Sequence, residues 1–126
     1  MDFPTPRREW AEPELLMVTT TRPEPGLVLV KAQGEVDLLT SPVLAAELDR
    51  ILLGPLPANL AVDLDEVTFI SSSGLRVLIE LYRHSEERGI KTRLVGVSPP
   101  VRRVLSISGL DSVLTSGDMC VEPTVG

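Results

Sequence analysis

Between Leu60 and Gly89 the chain reads LAVDLDEVTFISSSGLRVLIELYRHSEERG, and its apolar spacing changes period once. That change constrains the fold more than any other feature. Leu60, Val62 and Leu64 alternate with Ala61, Asp63 and Asp65, the period of two of a strand with one face more buried than the other. Asp65-Glu66 is expected to end that strand, with Val67-Thr68-Phe69-Ile70 as a second short apolar piece. From Leu75 the spacing becomes i, i+3, i+4 and i+7 through Leu78, Ile79 and Tyr82. That is the buried stripe of an amphipathic helix, with Arg76, Glu80, Arg83 and Glu87 left to solvent. Ser71, Ser72 and Ser73 therefore lie where a strand hands over to a helix.

A serine in that position has two readings. Its hydroxyl can simply cap free backbone N–H groups, stabilising the helix by about 1 kcal/mol. The same N–H groups and the positive end of the helix dipole can instead receive an anion. A phosphate esterified there would sit in a favourable field and place about two negative charges on the surface. On local pattern alone the cap is the more frequent case.

The remaining chain frames this junction. Residues 1–13 carry three of the eleven prolines among charges and read as a flexible tail, with Arg7-Arg8 beside Trp10. Leu15 to Thr21 is expected to be a strand, Pro23-Glu24-Pro25-Gly26 a turn, and Leu27 to Ala32 the returning strand of a hairpin. Gln33 to Asp37 is expected to leave the sheet. Ser41-Pro42 reads as a capping hydroxyl followed by proline at a helix start, with Leu44, Leu48, Ile51 and Leu52 on the apolar face and Gly54-Pro55 as the stop. Gly89 is placed to cap the central helix. Thr92 to Val97 is a further strand, and Ser98-Pro99 repeats the cap-and-proline device before a short helix bearing Val101, Val104 and Leu105 and closing at Gly109. Leu110 to Leu114 is a candidate last strand; residues 116–126 show no period and read as an irregular tail. Helices alternating with strands after an opening hairpin imply a mixed, mostly parallel α/β sheet with right-handed crossovers.

Bulk properties exclude several functions. A chain of 126 residues, 43% hydrophobic, suits one domain with a real core. A net charge of −6 disfavours a phosphate-backbone partner, and 3% aromatic residues leave no base-stacking platform, so no nucleic acid is expected. The same charge favours encounter with a basic protein surface. The single cysteine, Cys120, excludes an internal disulfide and points to a reducing compartment. No apolar run reaches the length of a span and the N-terminus has no signal-peptide core, so the expectation is a cytoplasmic protein without membrane insertion.

Catalysis is not expected. The one histidine, His84, lies twelve positions after Ser72 on what reads as one helix, about 18 Å along its axis. It cannot serve that serine as a base. Asp63, Asp65 and Glu66 lack the further ligands of a calcium loop, and no phosphate-binding glycine loop is present. No cofactor and no metal are expected.

Three segments, in order and at matching spacing, resemble the STAS domain in its stand-alone bacterial form, the anti-sigma factor antagonist: Gly34-Glu35-Val36-Asp37; Val62-Asp63-Leu64 through Phe69-Ile70-Ser71-Ser72-Ser73-Gly74-Leu75; and Ser98-Pro99-Pro100-Val101-Arg102-Arg103-Val104-Leu105 followed by Ser108-Gly109-Leu110. The resemblance covers about residues 14–115 and reverses the weighting of the two serine readings. It implies a STAS fold with helices mainly on one face of the sheet. It also implies a partner: an anti-sigma factor, a serine kinase of the histidine-kinase-like ATPase fold, bound by the antagonist so that a sigma factor is released. Phosphorylation would break that complex and a serine phosphatase would restore it. Carried over by position, the phosphoacceptor is Ser72, with Ser71 and Ser73 as alternatives. Asp37 matches the acid of the neighbouring loop, and Ser71, Ser73, Gly74, Leu75 and Arg76 complete the expected partner-binding patch. Two departures stand out. Ser71 replaces the family's aspartate, which leaves open a second use as an unphosphorylated scaffold module in a larger regulatory or lipid-transport assembly. The C-terminal stretch lacks the pattern of the family's closing helix, leaving part of the sheet face less covered or free for a partner.

Overall fold

The computed structural model describes residues 16–108 and the backbone of residues 119–121. Strands β1 (Met17–Glu24), β2 (Leu27–Val36), β3 (Asn59–Ile70), β4 (Lys91–Val95) and β5 (Met119–Val121) alternate, after the opening hairpin, with helices α1 (Ser41–Leu53), α2 (Ser72–Arg88) and α3 (Pro99–Ser108). The strands form one sheet in the order β1-β2-β3-β4-β5. β1 and β2 pair antiparallel, and every later pair is parallel. This is the mixed, mostly parallel α/β architecture that the period changes predict.

Register explains the core. Val30 lies opposite Val62 and Val62 opposite Leu94, while Val28 pairs with Leu60 and Leu60 with Thr92. These rows put every second side chain on one face. There they merge with Leu44, Leu48, Ile51 and Leu52 of α1, Leu75, Leu78 and Leu81 of α2, and Val101 and Leu105 of α3 into a single buried cluster. On α2 the deeper stripe runs through Leu75, Leu78, Leu81 and Ser85, with Ile79 and Tyr82 only half-buried.

The expected break at Asp65-Glu66 does not occur: β3 runs twelve residues without interruption. Twice, between Asp63 and Glu66 and between Val67 and Phe69, β3 advances one residue more than β2. These bulges turn Asp65 and Glu66 outward and bring Leu64, Val67 and Ile70 inward at intervals of three. Glu66 then pairs with Lys31 at 3.2 Å and accepts from Gln33, so the charges sit along the strand rather than ending it. Gln33 to Val36 likewise stays in the sheet, with Gly34 at φ 119° where the register shifts. The hairpin turn is narrower than expected, only Pro25-Gly26, with Gly26 at φ 81°.

Two expected caps are used differently. Thr40, not Ser41, precedes α1, and its side chain makes no capping hydrogen bond. Ser98 places its hydroxyl on the Val67 carbonyl, fastening the start of α3 to the β3 bulge. Gly89 closes α2 in the left-handed conformation, as its position predicts. Met119–Val121 pairs with β4, so a strand occupies part of the expected irregular tail. The expected tail of residues 1–13, the helix closure at Gly109 and the strand over residues 110–114 lie outside the described residues.

Candidate functional site

The three serines sit at the carboxyl end of β3. Ser71 precedes α2 in extended conformation, and its Oγ accepts from the N–H groups of Ser73 (3.2 Å) and Gly74 (3.4 Å). Its own N–H donates to the Val36 carbonyl at 2.8 Å, tying the helix start to the end of β2. Serine thus performs the capping that an aspartate would perform in its place, without a charge at the helix start. Ser72, the first residue of α2, is exposed; Ser73 is half-buried.

Gly74 is fixed by close packing. A Cβ there would meet Cγ1 of Ile70 and Cγ1 of Val36, each at 2.6 Å. The first turn of α2 therefore lies directly on the ends of β2 and β3, which holds Ser72 at the rim of the sheet. Gly74 and Leu75 are buried, so of the expected patch only Ser71, Ser73, Arg76 and Asp37 reach the surface beside Ser72.

Asp37 shapes its own loop. Its Oδ1 accepts from the N–H groups of Thr40 (2.9 Å) and Leu39 (3.0 Å), while its N–H donates to the Thr40 hydroxyl (2.9 Å). The Thr40 hydroxyl proton is shared between the Glu35 carbonyl (2.7 Å) and the Asp37 carboxylate (3.0 Å). The Thr40 N–H and hydroxyl, then the Leu39 N–H, hold the Asp37 carboxyl below its ordinary range. Asp37 is thus a fixed negative charge on the loop joined to Ser71 through Val36.

This loop also lifts Leu38 and Leu39 into solvent, 73% and 84% exposed. Leu38, Ser41, Pro42, Ser72, Arg76 and Val77 line an open groove between the loop, α1 and α2. On the other side of β3, Phe69 is 47% exposed and shares a shallow apolar cleft with Pro99, Pro100 and Arg103. Leu38 and Leu39 had no role in the sequence reading, and Phe69 entered it only as part of a strand and a motif, not as exposed surface. The available signal was Leu-Leu between Asp37 and Thr40, apolar residues in a segment too short to bury them.

His84 lies on α2 with Ser72, three turns farther on, and lines an adjoining stretch of groove with Asp49, Arg76 and Glu80. No Ser–His pair forms among the described residues. Among the described residues no group of histidine, cysteine or acidic side chains could hold a metal ion, and no helix is long and apolar enough to cross a membrane.

The hairpin-led, mostly parallel sheet thus carries an exposed serine at the opening of the helix after its central strand. The chain belongs to the STAS domain family, whose profile matches residues 18–125. It is 29% identical over 89 residues to the anti-sigma F factor antagonist of Paenibacillus polymyxa, covering 71% of this chain and 76% of that protein. Its structure is similar to the crystal structure of an anti-sigma factor antagonist from Mycobacterium paratuberculosis, with TM-score 0.75, 26% identity and 90% of each chain covered. The anti-sigma factor antagonist SpoIIAA in its unphosphorylated form shares the fold at TM-score 0.70 and 19% identity, over 86% of this chain and 89% of that one.

Proposed function

We propose that this protein is an anti-sigma factor antagonist, acting by partner switching rather than by catalysis. In this reading it binds an anti-sigma factor that is a serine kinase of the histidine-kinase-like ATPase fold, thereby freeing a sigma factor in the cytoplasm. Phosphorylation of Ser72 breaks the complex and a serine phosphatase renews it. The observation that carries the reading is the exposure of Ser72 at the first position of α2, beside a neighbour whose hydroxyl already serves as the cap. Ser72 is left free for modification. The antagonist names borne by its relatives support the same conclusion.

The physics of the switch is electrostatic. A phosphate at a helix start is accepted by backbone donors and the dipole, so the domain stays folded. A partner surface that buried a neutral hydroxyl beside Asp37 would instead have to desolvate a near-dianion next to another acid. Like-charge juxtaposition at an interface costs several kcal/mol, a loss of affinity on the order of a thousandfold.

Intact-mass spectrometry with fragment mapping, on protein from its own cells before and after stress, tests this. A phosphate on Ser72 that disappears when signalling turns on is the expected result. A phosphate on Ser71 or Ser73 keeps the mechanism and moves the site. Unmodified protein in both states overturns the switch and favours the scaffold use that Ser71, in place of aspartate, left open.

A further inference from the structure

Arg76 stands out on the surface next to Ser72. Four residues along α2, it is a direct neighbour of Ser72 on the helix surface. It is exposed and makes no ion pair among the described residues. Among the described residues that line the groove with Ser72 it is the only charged one; the others are apolar or carry hydroxyls. Leu38 forms one wall, and Leu39 and Val43, also exposed, flank that wall in sequence. The acids around it are Asp37, held by its own loop, and Asp49 and Glu80, which line the adjoining hollow between α1 and α2 together with Arg76, Glu80 lying four residues beyond it on the helix.

We propose that Arg76 is a shared cation: it receives a carboxylate of the anti-sigma factor when Ser72 is unmodified, and the phosphate of Ser72 takes it over after modification. The proposal rests on the antagonist reading and specifies the chemistry of the partner. The groove's occupant is a protein segment bearing a carboxylate next to an apolar side chain. Charge complementarity identifies it. A guanidinium presents N–H donors in a rigid fork that matches a carboxylate or a phosphate equally well, and the exposed Leu38 in the same groove loses contact with water only against an apolar side chain. The chain's net charge of −6 favours a basic partner at long range, but the one charge among the described residues lining this groove is the Arg76 cation. Phosphorylation then acts twice, repelling the incoming carboxylate and withdrawing its cation.

The test uses the full chain, with phosphoserine introduced at position 72 during translation so that no kinase is needed. The probe is the peptide acetyl-Leu-Glu-Leu-Leu-Glu-Leu-amide, compared with its twin carrying Gln for Glu, in NMR titrations. The glutamate peptide is expected to shift the amides of Leu38, Ser73, Arg76 and Val77 and to bind up to about fivefold tighter than the twin, the upper value of one exposed charge contact. That preference is expected to vanish in Arg76→Gln, to survive in part in Arg76→Lys, and to vanish when Ser72 carries phosphate. Phosphorus NMR is expected to give a second phosphate pKa lower by roughly 0.3 in the wild-type chain than in Arg76→Gln, the scale of an i,i+4 ion pair. Equal binding of the two peptides, a preference that persists in Arg76→Gln, or identical phosphate pKa values in both chains would each overturn the proposal. Whether cells modify Ser72 is settled separately by the mass measurement, so the two ideas can fail independently.

Discussion

Ser71 and Gly74 set the geometry that leaves Ser72 exposed, by different means. Ser71 holds the first turn by hydrogen bonds to two backbone N–H groups. Ser71→Ala is expected to lower stability by about 1 kcal/mol, the usual value of a lost cap, and chemical denaturation will measure it. Ser71→Asp restores the family's residue and keeps the cap, so its midpoint is expected to match the wild type or exceed it. Gly74→Ala is the harsher change. The new methyl has nowhere to go between Ile70 and Val36, and overpacking of this kind costs about 1–3 kcal/mol. A denaturation midpoint equal to the wild type would show that the helix start slides freely over the strand ends. The glycine was legible in the sequence as part of a motif, but its reason was not: the clash involves two strand ends that only the fold brings together.

At the scale of elements, side chains fasten helices to strands where the chain itself does not. Thr92 of β4 donates to Ser85 of α2 at 2.8 Å, with both residues fully buried. Removing either hydroxyl strands its partner, at a cost of about 1–3 kcal/mol. The double change Ser85→Ala with Thr92→Val is expected to cost less than the sum of the single ones, which a denaturation cycle will read. Glu47 of α1 pairs with Arg50 and accepts from the Thr20 hydroxyl of β1. These contacts, Arg50 first, hold its carboxyl below the ordinary range. Since the folded value is depressed, the stabilisation is full above the unfolded pKa and disappears as pH falls through the folded one. Melting curves from pH 7 down to about 3 are therefore expected to fall less steeply for Glu47→Gln than for the wild type. Element boundaries were the part least visible beforehand. β3 looked like two pieces because its bulges convert a period of two into intervals of three, and a bulge depends on the register with β2.

For the whole molecule, a switch of this kind requires a fold indifferent to the modification. Ser72 is exposed and no core side chain depends on it. Ser72→Glu is thus expected to shift stability by less than about 0.5 kcal/mol, as surface changes generally do, and its circular dichroism spectrum should overlay the wild type. A large loss would mean that charge at the helix start acts through unfolding rather than through the partner. The sequence alone determined the alternation of strands and helices, the hairpin, the strand-to-helix junction and the serine at its opening, because hydrophobic period and turn chemistry are local properties of the chain. Tertiary structure decided what is exposed. It buried Gly74 and Leu75, which motif reading had placed in the partner patch, turned the Asp37 carboxylate onto its own loop, and left Leu38 and Leu39 in solvent, Leu38 in one groove with Arg76. The physical reason is that burial and charge pairing depend on which elements meet, and residues distant along the chain meet only in the folded protein.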